Sequence, residues 1–272
     1  SWGYPRAPVR GRGYPKVSGV LPVALEDATK IIGYLMLSSK EYVAVMQLHR
    51  EVPESRIREV IKEFTGRIYQ RPPVRSSVKR SLRVKTVYEI EVMEINYPYV
   101  LLRVHCEHGT YVRKLIHDIG EVLGVGAHMR ELRRIRTGPF KEDKTLKTMH
   151  ELSEALYIYK ELGDDSMLKD LILPMEYGIS HLPKIVVLDG AVGAITHGAD
   201  LAVPGIAMLH EGIKRGDTVA ILTLKGELVA VGQALRSTEE IIQMSKGIVV
   251  KTKRVLMPRD VYPRIWKRRG GK

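Results

Sequence analysis

Arg113 and Leu115 follow the turn His108-Gly109-Thr110, and four arginines, Arg130, Arg133, Arg134 and Arg136, crowd into the run RELRRIRTG. Upstream, Tyr42 stands in Lys40-Glu41-Tyr42, and Arg71-Pro72-Pro73 precedes Ser76, Val78, Lys79 and Arg80. Guanidinium groups at this density suit phosphate. An arginine beside a carboxylate would do more, because the cation keeps the acid ionised and ready as a nucleophile or base. No acid near Arg113 fits that role: Asp118 lies beyond its i+3 and i+4 neighbours. Glu41 should face away from Tyr42 across the strand, and nothing places Glu26 or Asp27 at a site. Each residue also has a plain reading. Arg113 is then a solvated helix charge, Leu115 core, Tyr42 a half-buried sheet residue, the arginine run a solvated face, and the segment from Arg71 a solvated linker.

His49, His105, His108, His117 and His128 show no metal-ligand spacing and read as structural. Cys106 is the only cysteine, so neither an intramolecular disulfide nor a cysteine cluster can form, which fits a reducing compartment. There is no zinc, P-loop or dinucleotide pattern, and no metal or cofactor is expected. The chain has 272 residues and a formal charge of +13, with a sequence pI of about 9.7. That excess favours a polyanionic partner, because each neutralised phosphate releases counterions. The longest apolar runs, such as Val219 to Leu224, fall far short of the roughly 20 residues that span a bilayer. No signal pattern is read, and a cytoplasmic protein without a membrane is expected. Asn96 is the only asparagine and glutamine is sparse, a thermophilic leaning.

The elements that must hold these residues follow from pattern. A short helix ends near Gly33, Glu41 to His49 alternates as a strand, and Pro53 to Phe64 is a helix. Val84 to Ile95 and Tyr99 to Cys106 are strands about a turn at Asn96 to Pro98. Thr110 caps a helix through Leu123, whose stripe is Val112, Leu115, Ile116, Ile119, Val122 and Leu123. Met129 to Thr137 is a basic segment of unassigned structure. Helices follow near Leu146 to Leu162 and Met167 to Leu173. From Pro183 the texture is β-rich: a strand Lys184 to Leu188, a helical turn Gly193 to His197, a hairpin with strands Thr218–Leu224 and Leu228–Ala234, and a strand Ile248 to Leu256.

Several of these segments resemble the TruB/dyskerin family of pseudouridine synthases, in its archaeal dyskerin form. PKVSGVLPVALEDATK from Pro15, Lys40-Glu41-Tyr42, Arg71-Pro72-Pro73 and Gly109-Thr110-Tyr111-Val112-Arg113-Lys114-Leu115 carry the likeness in the first part. Thr196-His197-Gly198-Ala199-Asp200, Val203-Pro204-Gly205, Lys214-Arg215-Gly216-Asp217 and Met257-Pro258-Arg259 carry it in the second, which is similar to a PUA domain. The resemblance implies an α/β (α+β) fold with a mixed-sheet synthase core and a small C-terminal β-barrel. It implies isomerisation of uridine to pseudouridine, in ribosomal RNA and also in tRNA. Tyr42 would stack on the target base, Arg113 would pair with a catalytic aspartate, and Leu115 would line the pocket. Arg71, Lys79, Arg80, Arg130, Arg133 and Arg134 would meet RNA from the core. His197, Gly198, Ala199, Pro204, Gly205, Lys214, Arg215 and Arg259 would do so from the PUA domain, with Gly198 and Gly205 admitting RNA close to the backbone. The implied partners are guide RNA, substrate RNA, a small zinc-ribbon-like protein, a small β-barrel protein and a kink-turn-binding protein, in an archaeal cytoplasm or a eukaryotic nucleolus.

The likeness breaks at one place. The family loop Gly-Thr-Leu-Asp-Pro carries the catalytic aspartate, and here it reads Gly11-Arg12-Gly13-Tyr14-Pro15. The family segment ahead of that loop has no counterpart, so an N-terminally shortened core is expected. Tyr14 is a phenol with an ordinary pKa near 10 and cannot replace an ionised carboxylate. The expected layout is an irregular basic arm 1–13, a core 14–182, a PUA domain 183–258 and a basic tail 259–272. A non-catalytic RNA scaffold and a stand-alone tRNA pseudouridine synthase are the alternative readings.

Overall fold

The computed structural model describes residues 17–71 and 81–263; the arm 1–13, Tyr14, Ser76, Val78, Lys79, Arg80 and the tail from 264 lie outside the described residues. The chain divides into two units. One takes the chain through Val23 together with Gly33–Ile172; the other takes Ala24–Ile32 together with the chain from Leu173.

The first unit is built on strands β1 (Val17–Gly19), β2 (Lys40–Leu48), β3 (Gly66–Gln70), β4 (Arg83–Asn96), β5 (Tyr99–Cys106), β6 (Ala127–Thr137) and β7 (Phe140–Lys141). Its helices are α1 (Ile32–Met36, entered from the second unit), α2 (Glu54–Glu63), α3 (Val112–Val122), α4 (Met149–Leu162) and α5 (Ser166–Leu171). The sheet order is β1-β6-β2-β5-β4-β3, with β7 on β6. β1 runs parallel to β6 and the other pairs are antiparallel, so the sheet is mixed. Alternation sorts the strand residues. Ala44, Met46 and Leu48 of β2 and Val100, Leu102 and Val104 of β5 are buried together with Ile57, Val60 and Ile61 of α2 and Leu115, Ile116 and Ile119 of α3. Burying each such aliphatic side chain contributes about 1.5–3 kcal/mol. A helix cap is worth about 1 kcal/mol, so packing rather than capping holds α3 in place.

The sequence expectations fail at identifiable points. The early helix does not stop at Gly33. A 3-10 turn Glu26–Ile31 runs into α1, which ends at Met36. There the Lys40 ammonium donates to the Met36 and Ser38 carbonyl oxygens at 2.8 and 2.6 Å, as a cation does at a helix C-terminus. Thr110 is not the cap of α3: its hydroxyl donates back to the Glu107 carbonyl at 2.8 Å, and Tyr111 is the N-cap residue without a side-chain cap. The basic segment Met129 to Thr137 is the strand β6, because two neighbours, β2 and β1, take up its backbone groups. The helix placed from Leu146 begins at Met149, where Thr148 and Glu151 form a capping box.

The second unit has α6 (Met175–Gly178), β8 (Lys184–Val187), α7 (Asp189–Thr196), β9 (Leu201–Ala202), β10 (Ile206–Leu209), β11 (Thr218–Leu222), β12 (Leu228–Ala234), α8 (Thr238–Ile242) and β13 (Ile248–Val255). The sheet order is β10-β8-β11-β12-β13-β9. The two end strands, β9 and β10, are joined directly by the 3-10 turn Val203–Gly205, so the sheet's edges are tied together by the chain. α7 begins earlier than the turn expected from Gly193, and β11 stops before Leu224 at an irregularity against β12.

Candidate functional site

Tyr42 lies in mid-sheet, between Val104 of β5 and Arg134 of β6, on the face that α2 and α3 cover. Glu41 points to the other face, as alternation requires. Its carboxylate accepts from Arg136 at 2.8 Å, and Arg136 also meets the His105 ring nitrogen at 2.9 Å. The register explains how two arginines of like parity come to opposite faces. Tyr42 stands opposite Arg134 and Glu41 opposite Arg136, so Ile135 is an extra residue in β6. Such a bulge re-aims the side chains beyond it. The arginine run is therefore divided. Arg134 shares the face of Tyr42, whereas Arg133 and Arg136 lie on the far face. There Arg133 is held by Glu142 through Nε at 2.9 and 3.0 Å and meets the Ser18 hydroxyl at 3.2 Å. Arg130 is exposed, as is Arg71.

Around Tyr42 the groups are fixed by one another. Burial, helped by Cys106, pushes the tyrosine phenol above its ordinary pKa, against the opposing pull of Arg134. It therefore stays neutral near pH 7. The Arg134 Nε donates to the Val20 carbonyl at 2.8 Å, and the Val20 amide donates to the Arg134 carbonyl at 2.8 Å. Between them, Gly19 has φ +104, and a β-carbon there would stand 2.1 Å from the Arg134 oxygen. Only glycine lets β1 run this close to β6. Burial and the Arg134 charge lower the Lys40 ammonium to about 8, while burial raises the neighbouring Cys106 thiol to about 11.

α3 carries two more of the candidate residues. Arg113 is exposed in its first turn, and Leu115 is 1% exposed within the core. The turn ahead of α3 is anchored to β4: the Glu107 carboxylate accepts from Lys85 at 2.7 Å and from the Thr86 amide at 3.0 Å. Burial works to raise the Glu107 pKa, but these two donors outweigh it and the net shift is downward. Asp118 is engaged by Lys114 on the same helix. One residue that sequence reasoning missed stands out: the buried Gln70 carboxamide binds Tyr111 from β3. Among the described residues, no group of three or more His, Cys, Asp or Glu could hold a metal ion. No described helix is long and apolar enough to cross a membrane.

In the second unit, His197 closes α7 with Nδ1 2.7 Å from the Gly193 carbonyl. Gly198 has a positive φ and open space where a side chain would go. Gly205 differs, since a β-carbon there would lie 2.9 Å from Ala191 and 3.2 Å from Leu201, so its bare backbone serves inward packing. Ala199, Pro204, Lys214, Arg215 and Arg259 are exposed. The Ala199 carbonyl accepts from the Thr252 hydroxyl, and the Asp200 carboxylate accepts from the Thr252 amide, both at 2.8 Å. This brings the exposed Lys251 and Lys253 of β13 beside the His197–Asp200 segment. Neither lysine was singled out from sequence, though their alternation about Thr252 was a readable sign.

Family comparison accords with this geometry. Residues 7–112 match the TruB family pseudouridylate synthase N-terminal domain, 113–180 the tRNA pseudouridylate synthase B C-terminal domain, and 183–256 the PUA domain. A Pyrococcus furiosus protein named "Probable tRNA pseudouridine synthase B" is 59% identical over 255 residues, covering 94% of this chain and 75% of that protein. One of the same name from Saccharolobus solfataricus is 53% identical over 249 residues, covering 92% of this chain and 99% of that protein. Among solved structures, a Cbf5–Nop10–Gar1 complex matches with a TM-score of 0.88 and 59% identity, over 92% of this chain and 76% of that one. An H/ACA RNP bound to a substrate RNA containing 2′-deoxyuridine matches with a TM-score of 0.86 and 56% identity, over 93% and 76%. With matched domains that run through both units, the chain belongs to the TruB family of pseudouridylate synthases.

Proposed function

We propose that this chain is the catalytic-type subunit of a guide-RNA ribonucleoprotein that isomerises uridine to pseudouridine in ribosomal RNA, with tRNA as a second substrate, in an archaeal cytoplasm. The observation that carries the reading is the likeness of more than nine-tenths of the chain to a chain of a Cbf5–Nop10–Gar1 complex and to a chain of an H/ACA RNP bound to substrate RNA. Those complexes give the partner classes of the proposal: Nop10-like and Gar1-like small proteins and substrate RNA. A kink-turn-binding protein and a guide RNA complete the proposed particle. In the reaction the bond between ribose C1′ and uracil N1 breaks, the base turns, C5 bonds to C1′, the C5 proton leaves, and N1 takes up a proton. Tyr42 would stack on the extruded base and Leu115 would back the pocket. Where the family loop supplies its aspartate, Arg113 would hold that carboxylate ionised as nucleophile or base; in this chain Tyr14 stands at that position. In the second unit, His197, Gly198, Ala199, Pro204 and Gly205 with Lys214, Arg215 and Arg259 would hold the RNA end, and we add Lys251 and Lys253 to that set.

Tyr14 favours one rival, a non-catalytic RNA scaffold with the same fold, because it stands where the family has its aspartate. The test is tritium release from RNA labelled at uridine C5, with guide RNA and partner proteins present. The chain as written should release little or nothing, and robust release would overturn the role given to Tyr14. Restoring the complete family N-terminus, ending in Gly-Thr-Leu-Asp before Pro15, should bring release. Silence of that restored chain would count against the parts given to Tyr42 and Arg113.

A further inference from the structure

We infer that Gln70 is a positioning residue for this reaction: its side chain holds the first turn of α3, and through it Arg113, in register with the sheet. The inference rests on the pseudouridine synthase reading. Gln70 is the last residue of β3, an end strand of the sheet, and is 2% exposed. Its Oε1 accepts from the Tyr111 amide at 2.9 Å, and its Nε2 donates to the Tyr111 carbonyl at 3.2 Å. The two backbone groups fix the orientation of the carboxamide, since N–H must meet oxygen and C=O must meet NH2. Gln70 thus pairs with Tyr111 as a neighbouring strand would.

The position of Tyr111 gives the pairing its consequence. It is the N-cap residue of α3, and α3 begins without a side-chain cap of its own. A helix start leaves backbone N–H groups without partners inside the helix, and here the support for the cap residue comes from a strand distant in sequence. Arg113 lies two residues further on. The Glu107 anchor fixes the turn before Tyr111 to β4, and Gln70 fixes Tyr111 itself. Core packing of Leu115 and Ile116 holds α3 against the sheet, but packing tolerates small sliding, whereas two opposed hydrogen bonds define register. A misplacement of about 1 Å at a reacting group costs about a hundredfold in rate.

The test uses Gln70→Met, which keeps length and bulk but removes both bonds. It is made in the full chain and in the loop-restored chain that carries the complete family N-terminus before Pro15, each assembled with guide RNA and partner proteins. Single-turnover tritium release in the loop-restored chain should fall about tenfold to a hundredfold, with RNA affinity changed less than about twofold. Amide exchange should quicken at Tyr111 to Leu115 and stay unchanged from Ile116 to Val122. In an Arg113→Lys background the Gln70→Met effect should shrink, since groups acting as one unit are not additive. Unchanged release, or an undiminished effect beside Arg113→Lys, overturns the inference. Equal losses of RNA affinity and release also overturn it, by showing general damage. If the loop-restored parent releases no tritium, the synthase reading falls first. Amide exchange in Gln70→Met then still decides whether the clamp exists, and unchanged exchange at Tyr111 would overturn it.

Discussion

Lys40 and Cys106 sit opposite each other in the β2–β5 register and titrate in opposing senses. Lys40 is lowered from 10.5 to about 8, so between those values the unfolded chain binds the extra proton and stability rises with pH. Cys106 is raised from 9.0 to about 11, so its contribution is full below 9 and is lost as pH climbs toward 11. Thermal melts at stepped pH should therefore show Lys40→Met losing the gain between pH 8 and 9 relative to the unsubstituted chain. Identical pH curves for the two proteins would remove Lys40 from the account. Tyr42, Arg113 and Leu115 became candidates through the family likeness, whose motifs are contiguous along the chain. The sequence could not point to Gln70, whose partner Tyr111 becomes adjacent only when β3 and α3 are both in place. Nor could it divide Arg134 from Arg136, because the bulge at Ile135 exists only in the pairing with β2.

Elements with a strong internal period were legible. The stripe of α3 and the alternation of β2 and β5 each repeat at the spacing of their geometry: Val112, Leu115, Ile116 and Ile119 are buried as the stripe requires, whereas Val122 is exposed where the helix ends, and β2 buries Ala44, Met46 and Leu48 rather than Val43 and Val45. β6 was not legible, since a strand rich in arginine lacks an alternating apolar face and owes its form to its two neighbours. β1 is a further case, a strand of three residues that depends on Gly19. Gly19→Ala should cost at least about 2 kcal/mol, from the left-handed φ and the collision with the Arg134 carbonyl. It should also loosen Arg134 from Val20. Denaturant titration measures the first effect, and amide exchange at Val20 the second. A neutral substitution would mean that β1 is not held against β6 as described. The Glu107 anchor gives a third outcome. Its carboxyl is held below the ordinary value in the folded state, so its contribution is present above the unfolded pKa and is lost as pH falls through the folded one. Glu107→Gln should flatten the acid limb of the stability curve, and an acid limb identical to that of the unsubstituted chain would exclude the anchor.

At the scale of the whole molecule, the charge of +13 predicts RNA binding that weakens by about a thousandfold between roughly 50 and 200 mM salt. Titrating an ACA-ended hairpin RNA across that range checks it, and a flat response would mean that few phosphates are contacted. The texture change near Pro183 was legible, but the membership of Ala24–Ile32 in the second unit was not, because composition cannot show where a short segment packs. That membership sets an order of events during synthesis. Ala24–Ile32 leaves the ribosome early, whereas the rest of its unit begins at Leu173, about 140 residues later. At translation rates of about 5–20 residues per second, the interval is on the order of ten seconds. Ile31, buried in the finished protein, has nothing of its own unit to pack on until then. The second unit is thus opened at Ala24 and closed last, and the stretch Gly33–Ile172 of the first unit is made inside that interval.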